Sequence, residues 1–296
     1  MGKIILFFIL LIGGIWLIIR VWGNKLKTPK KKFPEQWRNI LCNNVVFYNR
    51  LTKEQKGHFE YKVHKFILNY DIIGSKGYKS TIEDKILIAA GGVVPVFSFP
   101  EWQWGNLEQI LIYPAAFFGP EQKFKVAGPE TGGYAPYLGM VVPSIMHSKG
   151  YLLVKMILAH HALQISFFNS KNKSNNYNKN QRNTIIHEFM HVLDMMDGNS
   201  DGIPMILISN PYRKDKMFSI NRVLWLEIVE KKMIEIHNGK SDIDSYGGTN
   251  SVEFFAVSSE YFFEDPFRMK DKHPKLYNFL SAIFEIDLAS DTIKTL

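Results

Sequence analysis

The twelve residues His187–Gly198, HEFMHVLDMMDG, decide how this 296-residue chain is interpreted. They contain two histidines four residues apart, with a glutamate directly after the first. On an α-helix, residues four apart share one face, so both imidazoles can reach the same metal ion. Glu188 is offset from His187 by about 100° around the helix, where it can activate a water molecule without ligating the metal. The spacing predicts a catalytic metal centre with His187 and His191 as ligands and Glu188 as general base.

The residues flanking this motif favour a buried helix. They are apolar at Ile185, Ile186, Phe189, Met190, Val192 and Leu193. The His-Glu-x-x-His pattern is typical of zinc peptidases, and two imidazoles with a carboxylate favour Zn²⁺ as the cofactor. The alternative is a core helix whose two histidines are merely hydrogen-bonded. Cys42 is the single cysteine, so a cysteine-based zinc site and an intramolecular disulfide are both excluded.

A catalytic zinc usually has three protein ligands, and the segment Tyr246–Glu264 contains the candidates for the third. Glu253 and Glu260 are seven residues apart and share one face of an aromatic-rich helix. A carboxylate on such a face needs a partner, which a zinc ion provides. Asn250 and Glu253 also have the spacing of a capping box, so Glu253 can be a helix cap with Glu260 as the ligand. Spacing alone leaves the two glutamates open.

Asp194 lies seven residues after His187, on the face that carries the two histidines. A histidine that binds metal needs an acceptor for its other ring nitrogen, so Asp194 is a candidate for that role. The alternative is a solvated carboxylate near the end of the helix. The pair His160-His161 falls in a predicted β region, where adjacent side chains of a strand point to opposite faces and cannot chelate together.

The positive charge of the chain is concentrated at its N-terminus. The formal net charge is +8, and residues 1–32 carry seven basic side chains and no acid. The remaining residues are therefore almost neutral, which argues against a large nucleic-acid-binding face. We expect no direct binding to nucleic acid.

Residues Ile4–Ile19 form an uncharged apolar stretch that Val21 and Trp22 extend beyond Arg20. This length and these flanks favour one uncleaved transmembrane helix over a cleaved signal peptide, since no small-residue cleavage site follows. Most of the basic residues follow the stretch, so the positive-inside rule places the body in the cytoplasm, at the bacterial inner membrane. The predicted divisions are an anchor at residues 1–24, a basic juxtamembrane linker at 25–34 and a peptidase domain at 35–296.

Hydrophobic periodicity predicts an α+β body, helix-rich with a small sheet. Helices are predicted near residues 36–50, 53–69, 82–94, 184–197, 217–237 and 250–263. Strands are predicted at residues 109–113, 140–142 and 163–168, followed by an exposed Asn-rich loop at 169–183.

The motif stretch also resembles the Mlc titration factor A family of zinc peptidases. Besides residues 187–198, the resemblance is carried by residues 88–90, 112–114, 201–204, 246 and 258–263, and it spans roughly Phe33 to Phe267. It implies a zincin-like, gluzincin-type domain, similar in its core to the catalytic domain of anthrax lethal factor. It also implies Glu253 as third ligand, Tyr246 as donor to the oxyanion and an aminopeptidase-like activity. Glu260 and Asp194 then support the ligands.

Two functional hypotheses follow from these features. The first is a membrane-anchored zinc peptidase that faces the cytoplasm and acts on a peptide or protein substrate. The second is a regulatory binding module that sequesters an Mlc-like transcriptional repressor, the partner implied by the resemblance, with a largely structural zinc site. A complete ligand set with a base and an oxyanion donor favours the enzyme.

Overall fold

Helices make up most of the structure, a computed structural model that describes residues 26–116, 138–146, 152–168, 183–203, 222–290 and 292–295. The helices are α1 (Glu35–Asn44), α2 (Val46–Asn49), α3 (Lys53–Asn69), α4 (Ile82–Val93), α5 (His160–Phe168), α6 (Thr184–Asp194), α7 (Arg222–His237), α8 (Ser251–Glu264), α9 (Pro266–Lys272) and α10 (Pro274–Phe284). The strands are β1 (Ile72–Gly74), β2 (Leu107–Tyr113), β3 (Gly139–Met146), β4 (Leu152–Ala159), β5 (Ile286–Asp287) and β6 (Lys294–Thr295).

A small mixed sheet with the strand order β1-β2-β4-β3 lies against these helices. Strands β1, β2 and β4 are parallel, with Ile110 opposite Met156, and β3 pairs antiparallel with β4 at the edge. Strands β5 and β6 form a separate two-stranded pair. The predicted helix-rich α+β fold with a small sheet is confirmed.

Helix α4 is the buried centre of the helical layer. It begins at a capping box, in which Thr81 and Asp84 satisfy each other's backbone amides, and it is buried along most of its length. Two glycines let its neighbours approach closely. A Cβ atom on Gly91 would lie 2.4 Å from Ile185 of α6, and one on Gly92 would lie 2.6 Å from Phe189 of α6 and 2.9 Å from Phe66 of α3. The core therefore brings α3, α4 and α6 into direct contact.

One predicted strand is wrong. Residues 163–168 belong to α5, which begins at His160, so His160-His161 lies at a helix start rather than in a strand. The run is short and apolar, and such a run does not distinguish a buried strand from a buried helix by periodicity. The other predicted strands lie within β2 and β3, while the sequence did not predict β1, β4, β5, β6, α9 and α10.

The predicted membrane anchor, residues 1–24, lies outside the described residues, as do most of the Asn-rich loop and the first residues of the helix predicted at 217–237. Within the described ranges, no helix is both long enough and apolar enough to cross a bilayer.

Candidate metal centre

The N-terminus of α6 is fixed by α8. Asn183 is the N-cap of α6, and its side chain accepts a hydrogen bond of 3.2 Å from the Ile186 amide. The backbone amide of Asn183 donates to Glu260, and its side-chain amide donates to Glu264 at 2.8 Å. Two carboxylates of α8 thus hold the start of the helix that carries His187.

Three donor atoms converge between α6 and α8. His187 Nε2 lies 3.1 Å from Glu253 Oε2 and 3.2 Å from His191 Nε2, and His191 Nε2 lies 3.5 Å from Glu253 Oε2. Ligand atoms of these three residues all lie within 4.8 Å of one another, and His187 is buried. Two imidazole nitrogens and a carboxylate oxygen at this separation fit a divalent metal, because each directs a lone pair to one point.

The carboxylate of Glu253 is directed at the histidines and not back at its own helix. The Asn250 side chain accepts a hydrogen bond from the Glu253 amide at 2.9 Å, so a cap is present. Glu253 Oε2 faces the histidines and its Oε1 accepts a hydrogen bond from Tyr246. Burial raises the pKa of Glu253, but His187 and His191 outweigh burial and hold that pKa well below its usual range. Of the two glutamates that the spacing left open, Glu253 joins the converging donors.

Glu260 lies on the other side of the first histidine. Its Oε2 atom is 3.5 Å from His187 Nδ1, the ring nitrogen that points away from the converging donors. Burial lowers the pKa of His187, whereas Glu253 and Glu260 outweigh it and raise that pKa to about 10. A carboxylate on the second ring nitrogen of a metal-binding histidine fixes its orientation, so Glu260 is placed to do this for His187.

Glu188 is buried beside the donors and outside their set. Its Oε2 atom has no hydrogen-bond partner among the described residues, and burial raises the pKa of its carboxyl despite the two histidines nearby. The carboxylate rests against Gly139 at the start of β3, where an added Cβ would lie 2.4 Å from Glu188 Oε1. A position with no side chain at the sheet edge is therefore what gives Glu188 its space.

Tyr246 reaches the centre from the 3-10 turn Ser245–Gly248, which packs against α8. Its hydroxyl donates to Glu253 Oε1 at 3.0 Å, and its ring lies 5.9 Å from the ring of His187. The turn is held by Asp244, whose side chain accepts from the Tyr246 amide at 2.8 Å. A hydroxyl donor thus stands at the edge of the donor set.

Asp194 is fully buried at the end of α6. Its Oδ2 atom accepts from the Gly202 amide at 3.1 Å, and no hydrogen bond within the described part of the chain joins it to a histidine. Burial raises the pKa of Asp194 to about 7, although the Gly202 amide opposes the shift. Gly202 has φ +76°, and a Cβ there would lie 2.3 Å from the Ser251 carbonyl. Asp194 therefore links the end of α6 to residues 201–203, which pack against the start of α8 at Ser251, and its role toward the histidines stays a prediction.

The structure brings together His187, Glu188, His191, Tyr246, Glu253 and Glu260, all proposed from the sequence. It adds two residues that sequence reasoning missed. Asn183 could have been identified from the sequence, since an asparagine directly before an apolar periodic run is a typical N-cap. No sequence pattern identifies Gly139, because its close approach to Glu188 depends on the pairing of β3 with the sheet.

Fold and site together define a metallopeptidase-like domain in which His187, His191 and Glu253 can hold a metal ion. The chain belongs to the family of glucose-regulated metallo-peptidases M90, whose sequence model matches residues 19–285.

Several relatives cover nearly the whole chain. An uncharacterized protein of Synechocystis sp. is 27% identical over 277 residues, which is 90% of this chain and 92% of that protein. The Mlc titration factor A of Escherichia fergusonii is 25% identical over 253 residues, 85% of each chain. That of Serratia proteamaculans is 22% identical over 267 residues, 90% of this chain and 92% of the relative. The resemblance to the Mlc titration factor A family is confirmed.

Proposed function

We propose that this protein is a zinc-dependent peptidase that hydrolyses peptide bonds of a peptide or protein substrate. The observation that carries the proposal is the buried Glu188 carboxylate beside three converging donors, with one oxygen that has no hydrogen-bond partner among the described residues. A purely structural metal site needs the donors alone, whereas a carboxylate held beside them without joining them is what water activation needs.

In this proposal the residues of the metal centre have three roles: binding the metal, transferring the proton and stabilising the oxyanion. His187, His191 and Glu253 would hold the zinc ion, which when bound lowers the pKa of water toward about 7 and polarises a carbonyl. Glu188 takes the proton of the attacking water on its free carboxylate oxygen and delivers it to the leaving amine. Tyr246, whose hydroxyl already donates beside the donors, would turn its hydrogen bond to the developing oxyanion.

The edge of the sheet supports a peptide as substrate. Strand β3 pairs with β4 on one side, and among the described residues no strand pairs with its other side. Its first residue, Gly139, lies against the Glu188 carboxylate. An extended peptide added to this edge would pass the catalytic base with its backbone hydrogen-bonded.

The test is peptide hydrolysis by the full chain loaded with zinc, compared with Glu188→Gln at equal metal content. We expect turnover to fall about 10²–10⁴-fold in the variant, because the substitution removes the base and keeps the size and the ligands. Peptides with free amino termini come first in the panel, following the aminopeptidase-like activity of the family. A zinc-loaded Glu188→Gln protein that remains fully active would contradict the proposal.

We also propose that residues 1–24 anchor the enzyme in the bacterial inner membrane with its domain in the cytoplasm. Support comes from the sequence: an apolar stretch at Ile4–Ile19 followed by six of the seven N-terminal basic residues. Protease protection in inverted and right-side-out membrane vesicles tests the orientation.

A second candidate function is sequestration of an Mlc-like transcriptional repressor, and the name of two relatives, Mlc titration factor A, favours it. In that case the zinc site serves mainly structure, and the Glu188→Gln variant keeps the full cellular effect. Loss of the effect in the variant assigns it to hydrolysis instead.

A further inference from the structure

Residues 26–34, here called the strap, lie along α3. The Lys27 amide donates to Asn69 Oδ1 at 2.7 Å, and Asn69 Nδ2 donates to the Lys27 carbonyl at 2.8 Å. At the other end of the strap, the Phe33 ring packs against His64 with ring centroids 6.1 Å apart. Asn69 ends α3 and His64 lies five residues earlier, so the strap runs antiparallel to the helix and is fixed to it at both ends.

The strap and the outer face of α3 form one basic surface. All four strap lysines are exposed: Lys27, Lys30, Lys31 and Lys32. Beside them α3 exposes two apolar side chains, Tyr61 (40%) and Leu68 (36%), which share a face because they are seven residues apart. Two of the acids nearby are paired, since Glu101 lies 2.6 Å from Lys65 and Glu35 pairs with Arg38, and the exposed Asp71 is left as one acid beside four strap lysines.

The same surface is where the apolar N-terminal stretch joins the domain. The described chain begins at Leu26, which lines a small cavity together with Phe66 and Trp102. Residues Ile4–Ile19 precede it by only a few residues. A bilayer that held this stretch would thus lie beside the strap.

We propose that the strap and the outer face of α3 dock against an anionic lipid surface. The lysines would face the headgroup phosphates, while Tyr61 and Leu68 would enter the interfacial region. This inference rests on the membrane anchor of the proposed function and goes beyond it, because it gives the domain one fixed orientation on the bilayer.

The metal centre then faces away from the membrane. Phe66, on the inner face of α3, packs against Phe189 of α6 with centroids 5.8 Å apart. Phe189 is two residues from each metal-binding histidine, about 200° around the helix, so His187 and His191 point to the far side. Two helices, roughly 20 Å, therefore separate the lipid from the centre. The substrate is reached from the aqueous side and is not a membrane-embedded segment.

A spin label on Leu68 tests the docking in the full chain. Cys42 is the single cysteine and is exposed, so Cys42→Ser gives a background for Leu68→Cys and for the matched control Asn238→Cys. Asn238 is exposed at the end of α7, next to the turn that carries Tyr246. The protein is reconstituted into phosphatidylcholine vesicles with or without phosphatidylglycerol, and power saturation compares accessibility to oxygen and to a nickel chelate.

We expect the oxygen-to-nickel ratio at Leu68 to rise several-fold in anionic vesicles while that at Asn238 stays at its aqueous value. Combining Lys30→Glu, Lys31→Glu and Lys32→Glu should return Leu68 to the control value. An aqueous ratio at Leu68 in vesicle-bound protein overturns the docking. A label equally shielded from both reagents in neutral vesicles also overturns it, because it indicates a protein contact.

Failure of the anchor gives a different result. If an alkaline wash removes the protein from the vesicles, the membrane anchor of the proposed function is wrong. The docking proposal is then tested separately with the washed protein. Rebinding to anionic vesicles at low salt, with Leu68 in the interface, upholds it, and no rebinding overturns it.

Discussion

Two buried clusters of this protein treat their carboxylates in opposite ways. Near the N-terminus, Glu60 receives Arg38 Nε at 2.8 Å, Arg38 Nη2 at 2.9 Å and the Tyr48 hydroxyl at 2.6 Å. Between α6 and α8, the described residues place Glu188 and Glu253 beside two histidines, with no arginine or lysine paired to either carboxylate.

The difference separates a structural cluster from a functional one. Burial raises the pKa of Glu60, but Arg38 and Tyr48 outweigh burial and hold that pKa below its usual value. Both Glu60 oxygens are satisfied within the chain. In the metal centre, one oxygen of Glu188 has no hydrogen-bond partner in the part of the chain that the structure describes, and the donors of His187, His191 and Glu253 face one another. A cluster whose lone pairs converge without a fixed cation is completed by a bound one.

The largest expected effect is loss of the metal's contribution to stability. With zinc at about 1,000 times its Kd, binding stabilises the native chain by about 4 kcal/mol, and His191→Ala should abolish this increment. Unfolding is followed with zinc and with a chelator. Glu60→Gln is the matched control, because it leaves all three donors intact and should keep the full increment. A zinc increment that persists in His191→Ala would place the metal elsewhere.

A smaller effect is expected when the space beside the base is filled. In Gly139→Ala the new Cβ would lie 2.4 Å from Glu188 Oε1 and 2.7 Å from Thr184 Cγ2, so the carboxylate must move. A misplacement of this size should lower kcat about 10²-fold while zinc content stays the same. Gly57→Ala on α3 is the control, because no atom of the described residues lies within 4 Å of its Cβ position. Unchanged kcat in Gly139→Ala would show that Glu188 needs no such space.

These two sites also show which parts of the protein the sequence can predict. His187, Glu188 and His191 lie on one helix at a spacing with a direct geometric meaning, so local periodicity finds them. Glu253 is 66 residues from His187, and its spacing from Asn250 fits a helix cap as well as a metal ligand, so only the family resemblance favours the ligand. Gly139 and the Arg38–Glu60 pair have no local signal, since each contact depends on how separate elements pack. The strand predicted at residues 163–168 is wrong for a related reason: a short apolar run that is buried on all sides shows neither the helix nor the strand period.

The smallest expected effect is a change in the free energy of unfolding that depends on pH in the Glu60 cluster and is absent at neutral pH in the metal centre. Glu60→Gln should destabilise the chain by about 2 kcal/mol at neutral pH, because charge-assisted hydrogen bonds to Arg38 are lost while the side-chain size is kept. Since the folded pKa of Glu60 lies below the unfolded value of 4.5, its stabilisation is present above that pH and is lost as the pH falls through the folded pKa. Urea unfolding between about pH 6 and about pH 3 should therefore show the wild type and the variant converging in acid. In the same titration without zinc, Glu188→Gln should leave the free energy of unfolding unchanged at neutral pH, because the Oε2 atom of Glu188 has no hydrogen-bond partner among the described residues that the substitution would remove. Equal destabilisation by the two variants would mean that the metal centre, like the Arg38–Glu60 cluster, is satisfied without a cation.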